Sequence, residues 1–257
     1  MKKLIYIPLV LAALTACKKP VSDLQETPTL EVEKKNMGVL GVRTATWCGP
    51  CGQSLNGTQD LFEQNKHLVV GMAFKDAFYE SQSVWGDNLF EKVNEMFDIG
   101  SGVPTSFQNF KHNTVAEHIN PNNIVVVSGN YEIDFSGNDM NIRTTTKFFT
   151  DYEGEIYLAP FIIVDDIVGA QNSHPDTPNT VHKRYVADVA FPANKDIDSK
   201  FEWGYMISAG AVKDGHTLNF NFKGTKLPHW ENSKISIGMI YFRKVDGQFV
   251  FLNAFTK

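Results

Sequence analysis

The sequence predicts an α/β unit over residues 29–120 followed by an all-β, antiparallel, sandwich-like unit over residues 121–257. Three observations lead there. Up to about residue 110, short apolar runs alternate with helical patterns. The character changes at Asn120–Pro121–Asn122–Asn123. Beyond that point short β-rich runs follow one another, separated by turn signals such as Ser136–Gly137–Asn138–Asp139 and Asp246–Gly247.

In order, residues 29–32 read as a short strand and 37–44 (M-G-V-L-G-V-R-T) as a buried one. Residues 52–66 carry Leu55, Leu61 and Phe62 roughly on one helical face. The run L-V-V-G-M-A-F at 68–74 has the continuous apolarity of a central strand. Val84, Trp85, Leu89, Val93, Met96 and Phe97 recur at helical spacing, and a strand follows at 106–110. In the second half, strands are predicted at 124–128, 131–135, 140–149, 156–164, 182–191, 203–208, 217–222, 235–242 and 249–255. Regular short strands of this kind suit an antiparallel sandwich. The break near Pro121 predicts that the first unit folds alone.

Composition narrows the function. In 257 residues, 42% hydrophobic and 21% charged residues exclude disorder as the main state. Only the first stretch is continuously apolar, which excludes a polytopic membrane protein. A net charge of −5 lacks the basic footprint that neutralises phosphates, so no nucleic acid partner is expected. Nineteen phenylalanines suit β-rich packing.

The N-terminus reads as an address. Met1–Lys2–Lys3 is a basic start, and residues 4–14 form an apolar run too short to span a bilayer. Leu14–Thr15–Ala16–Cys17 resembles the lipobox of bacterial lipoproteins. That resemblance implies a signal peptide over 1–16, an acylated Cys17 and a polar tether over 17–28. Lipid chains on Cys17 would then anchor the protein to a membrane. Lys18 and Lys19 stand where an Asp would direct inner-membrane retention, which favours the outer membrane, facing the periplasm.

Three cysteines are too few for a disulfide scaffold. Cys48 and Cys51 form the C-x-x-C of Trp47–Cys48–Gly49–Pro50–Cys51, between a predicted strand and a predicted helix. Three-residue spacing on a first helical turn puts the sulfurs within disulfide reach. The helix N-terminus favours the thiolate of Cys48. Pro50 is tolerated there because its missing N–H has no intrahelical partner in any case. Zinc held with His112 and His118, and a purely structural disulfide, are the competing readings of the pair. His174 and His182 read as solvated loop residues, and Asp165–Asp166 as a strand-end turn. No Ser-His-Asp arrangement or Gly-rich phosphate loop occurs.

The W-C-G-P-C run and Gly102–Val103–Pro104–Thr105 downstream resemble the thioredoxin superfamily, over residues 37–119. The resemblance implies a thioredoxin-like fold for the first unit. It also implies Cys48 as nucleophile, Cys51 as resolving thiol and Trp47 beside the site. Gly49 and Pro50 tune the pair, Val103 offers its backbone to a substrate strand, and a cis Pro104 keeps metal from bridging the sulfurs. Neither metal nor cofactor is implied. Two departures stand out: Val42 replaces the family's buried acid, leaving water or Asp76 to take the proton from Cys51, and Arg43 replaces an apolar residue.

The run Ala159–Pro160–Phe161–Ile162–Ile163–Val164 through Gln171, then Val181–His182–Lys183–Arg184–Tyr185, and the segments near Trp230 and Phe251, resemble the 28-kDa outer-membrane lipoprotein family. Its members pair a thioredoxin-like domain with a C-terminal β-domain, here expected as an immunoglobulin-like sandwich. Together these resemblances imply a lipid-anchored thiol–disulfide oxidoreductase, a reductase or isomerase of disulfide-containing envelope proteins fed by an electron donor. The alternative is a binding lipoprotein whose C-x-x-C is structural or vestigial.

Overall fold

The computed structural model describes residues 28–76, 89–100, 102–112, 124–193 and 204–257. The expected signal peptide, Cys17, most of the tether, His118 and the expected boundary at Asn120–Pro121 lie outside the described residues.

The first half contributes β1 (Gly38–Ala45), α1 (Gly49–Gln64), β2 (Val69–Asp76), α2 (Leu89–Phe97), β3 (Thr105–Gln108) and β4 (Lys111–His112). The second begins with β5 (Val127–Ser136), β6 (Asp139–Phe148), β7 (Tyr152–Glu153), β8 (Ile156–Asp165), β9 (Ile167–Gly169) and β10 (Thr180–His182). It continues with β11 (Tyr185–Val189), β12 (Phe191–Pro192), β13 (Tyr205–Ser208), β14 (Ala211–Val212) and β15 (Thr217–Thr225). It ends with β16 (Lys234–Val245) and β17 (Gln248–Phe255). Residues 29–32, expected as a strand, have no regular structure. They are tied down instead by Leu30 N donating to Thr145 Oγ1 at 2.9 Å.

The expected fold class, an α/β thioredoxin-like unit followed by an all-β sandwich, is corrected by the strand pairing. The described residues hold two α-helices and are otherwise mainly strand. One nine-stranded mixed sheet runs β17-β16-β8-β11-β2-β1-β3-β4, with β13 also paired to β8. Its parallel pairs are β1–β2 and β2–β11, the latter through Tyr185 opposite Ala73. Strands from the second half therefore continue the sheet of the first. A second, antiparallel sheet runs β12-β15-β6-β5.

The physical reason is in β2. Val69, Val70, Met72 and Phe74 are all buried, and a strand apolar on both faces needs cover and partners on both edges. β1 fills one edge and β11 the other. Arg184 clamps that junction: its carbonyl accepts from Ala73 N at 2.7 Å, its Nε donates to Gly71 O at 3.1 Å, and its N–H donates to Asp165 Oδ1 at 2.6 Å. Asp165 and Asp166 thus belong to a strand-end turn, with Asp166 at φ 65° facing Lys234.

β8 is the spine, with nine of its ten residues buried. Pro160 sits in this central strand without breaking it. Its carbonyl accepts from Ala190 N at 2.8 Å, so its nitrogen faces the same edge, where the β11 pairing gives way to β13. The second sheet packs on this spine. A Cβ on Gly224 would lie 2.7 Å from Ile162 Cδ1, and one on Gly129 would lie 2.3 Å from the Tyr241 hydroxyl. Tyr241 shares a 2.9 Å hydrogen bond with Thr146 on β6. One continuous core, from Val39 and Met72 through Phe161 to Phe220, fills both halves.

Candidate functional site

α1 starts as the sequence predicts. Cys48 is its N-cap, in extended backbone, and its Sγ accepts from Cys51 N at 3.1 Å. Pro50 occupies the first turn. A Cys48–Cys51 disulfide closes that turn, with Cα atoms 5.2 Å apart. Both cysteines are buried, at 4% and 2% exposure, against Ala45 and Val103. The Val103–Pro104 bond is cis, and the Val103 carbonyl oxygen lies 3.9 Å from Cys48 Sγ. The resemblance's Val103–Pro104 thus adjoins the disulfide. Trp47 is 61% exposed and turns its indole mostly to solvent. Leu61, expected on the buried face of α1, is largely exposed, while Leu55 and Phe62 are buried.

The site's floor comes from residues the motif does not contain. The segment between β9 and β10 folds as a strap over the start of α1. Gln171, fully buried, donates through Nε2 to the carbonyls of Ala45, Thr46 and Cys48 at 3.0, 3.4 and 3.2 Å. Asn172 N donates to Thr46 O at 2.8 Å and its Nδ2 to Trp47 O at 3.0 Å. Gly52 admits this strap, and Gly49 faces it. A Cβ on Gly52 would stand 1.9 Å from Asn172 O, and one on Gly49 would stand 3.1 Å from Ser173 Oγ.

Beneath the strap lies a polar cluster. Lys75 Nζ donates to Gln171 Oε1 and lies 3.0 Å from His182 Nδ1. Nε2 of His182 faces Gly169 O at 3.4 Å, so Nε2 carries the proton and Nδ1 accepts from the lysine. Burial, then the Lys75 charge, push His182 down to about 3. Burial pushes Lys75 down to about 7. His174 accepts from Asp176 N at Nδ1 (3.2 Å) and faces Asn56 Oδ1 with Nε2 (3.2 Å). Neither histidine is solvated as the sequence suggests: the strap turns His174 inward against Asn56 of α1, and β10 faces His182 to Lys75 of β2, so both are buried. Arg43 is buried too, over the Phe90 ring at 4.6 Å and paired with Glu91 on α2. Val42, in the place of the family's acid, is buried and apolar. His112 pairs within the sheet on β4, opposite Phe107. Among the described residues no three metal-ligating side chains converge.

Gln171, Asn172 and Lys75 had no functional reading from sequence. The only available signal was Lys75 itself, a charge ending an apolar central strand.

No protein-family model matches the chain, and no curated protein does. Among solved structures, HBP35 of Porphyromonas gingivalis superposes with a TM-score of 0.60 at 15% identity, over 88% of this chain and 76% of that one. A structural-genomics protein from Agrobacterium tumefaciens gives a TM-score of 0.38 at 14% identity, over 89% of this chain and 95% of its own. The first likeness is one of fold.

Proposed function

We propose that this chain is a thiol–disulfide oxidoreductase of the bacterial envelope. The observation that carries the reading is the Cys48–Cys51 disulfide at the N-terminus of α1 with the Val103 carbonyl beside it. The helix end favours a thiolate at Cys48, and the neighbouring backbone of Val103 offers an edge to an extended substrate. In the reducing direction, the Cys48 thiolate attacks a substrate disulfide and releases one substrate thiolate. Cys51 then attacks the mixed disulfide, freeing the second substrate thiol and re-forming Cys48–Cys51. A donor dithiol returns the two electrons. The lipobox-like Leu14–Cys17 run supports anchoring at Cys17, and disulfide-containing envelope proteins are the substrates we assign. No helix among the described residues is long and apolar enough to cross a membrane.

A structural disulfide is the second reading. It is favoured by the burial of both cysteines and by the strap packed on Gly49 and Gly52. Trapping separates the two. Cys51→Ala leaves an attacking thiol with no resolving partner, so non-reducing gels of envelope fractions should show high-mass adducts that reductant removes. Cys48→Ala should show few. Equal trapping by both variants would undo the role assignment, and no adducts from Cys51→Ala would favour the structural reading.

A further inference from the structure

Lys75 lies under the dithiol turn, and the sheet register shows why. Gly71, Ala73 and Lys75 alternate onto one face of β2. A Cβ on Gly71 would lie 3.0 Å from Phe62, so that face is the one α1 covers. Lys75 pairs with Thr44, one residue before β1 ends and four before Cys48. The strap closes the arrangement, because one buried amide, that of Gln171, holds both Lys75 and the carbonyls of Ala45 and Cys48. Arg43 and Glu91 lie on the opposite face with α2. Among the described residues His182 on β10 faces Lys75, with its Nδ1 3.0 Å from the amine, and the dithiol turn is linked to Lys75 through Gln171. His174 stands behind His182, with exposed Asp176 3.9 Å from its ring.

We propose that Lys75 is the counter-charge of the reduced site, taking up a proton as the Cys48–Cys51 bond opens and balancing the thiolate left on Cys48. The inference rests on the oxidoreductase reading. A reducing dithiol brings two electrons and two protons. The S–S bond breaks and the donor's own disulfide forms. One proton goes to Cys51, the other to neutral Lys75, and Cys48 is left as thiolate. Charge and atoms balance without a buried carboxylic acid, whose expected position is Val42. Two further features fit. Burial holds Lys75 down to about 7 in the oxidised chain, so near neutral pH its amine is shared between the charged and neutral forms and can take up a proton. His182 stays neutral and keeps an acceptor on the lysine in either charge state.

The test is a side-chain NMR titration of Lys75 in the full chain, oxidised and then reduced with dithiothreitol. The midpoint should rise by ~1 unit or more on reduction, as an opposite charge nearby requires. By reciprocity, the thiolate titration of the reduced protein should shift up by a similar amount in Lys75→Met and return in Lys75→Arg. The wild-type titration stands by itself if a variant fails to fold. A Lys75 midpoint unchanged while free-thiol counts show the disulfide open would overturn the inference and leave the oxidoreductase reading intact. A disulfide that dithiothreitol cannot open would remove that reading, and the inference with it.

Discussion

Lys75 shows how one residue can carry several constraints. Its stem completes an apolar strand while its amine meets Gln171 and His182 beneath the strap. In the oxidised folded chain burial holds it at about 7 against its usual 10.5. Between those values the unfolded chain binds the additional proton. Stability should therefore rise as pH goes from about 7 towards 10 and fall again as pH returns. Tyr205 and Tyr241, raised above their usual 10.0 by burial, oppose this only at higher pH. Denaturant midpoints of the oxidised protein across that window check the sign. Lys75→Met should flatten the slope; an unchanged slope would mean that Lys75 stays charged in the fold. Sequence reading found the cysteines at this scale because W-C-G-P-C is a local pattern. It missed Gln171, which lies more than 120 residues away and acts through a single side-chain amide. Nothing in a local window marks such a contact.

At the scale of elements, the strap between β9 and β10 does what the C-x-x-C helix cannot do alone. The first turn of α1 and the loop before it leave carbonyls facing inward, and Gln171 and Asn172 satisfy them. The carbonyls of Ala45, Thr46 and Cys48 keep the N–H groups of Cys48, Asn172 and Gly52 as donors. Gln171→Ala therefore removes only the second, side-chain bonds and the acceptor of Lys75, and should cost about 0.5–1.5 kcal/mol. The strap should loosen with it, so dithiothreitol should open Cys48–Cys51 faster than in the wild type. Thermal denaturation and stopped-flow reduction measure the two effects. A variant stable as wild type and no faster to reduce would show that the strap merely lies on the site. The elements themselves were largely legible. The runs at 37–44, 68–74, 156–164 and 235–242 became β1, β2, β8 and β16, because long apolar or alternating runs leave few alternatives. Residues 182–191 divide among the end of β10, β11 and the start of β12, with Arg184, at φ 57°, turning the chain between the first two.

For the whole molecule, the pairing of β2 with β11 matters most. Sequence predicted strands on either side of residue 120 but not that they share a sheet. Strand patterns report which face is buried, not which distant edge is the partner. Asn253 shows the same interdependence: fully paired, it accepts from Met37 N at 3.0 Å and donates to Lys35 O at 2.9 Å and Val127 O at 2.7 Å. The independence expected of the first unit is accordingly reversed. A fragment of residues 29–120 exposes the apolar β2 edge and loses Gln171, and it should be insoluble or unfolded by circular dichroism. A soluble, cooperatively folded fragment would show that the shared sheet is not required.

The central claim is that Cys48–Cys51 cycles. The most direct measurement is its redox equilibrium with dithiol and glutathione buffers at neutral pH, read by thiol alkylation of the full chain. The account predicts a reversible two-electron transition between about −120 and −270 mV, the range of redox-active protein dithiols. A couple that stays oxidised below about −300 mV, where structural disulfides lie, would contradict it.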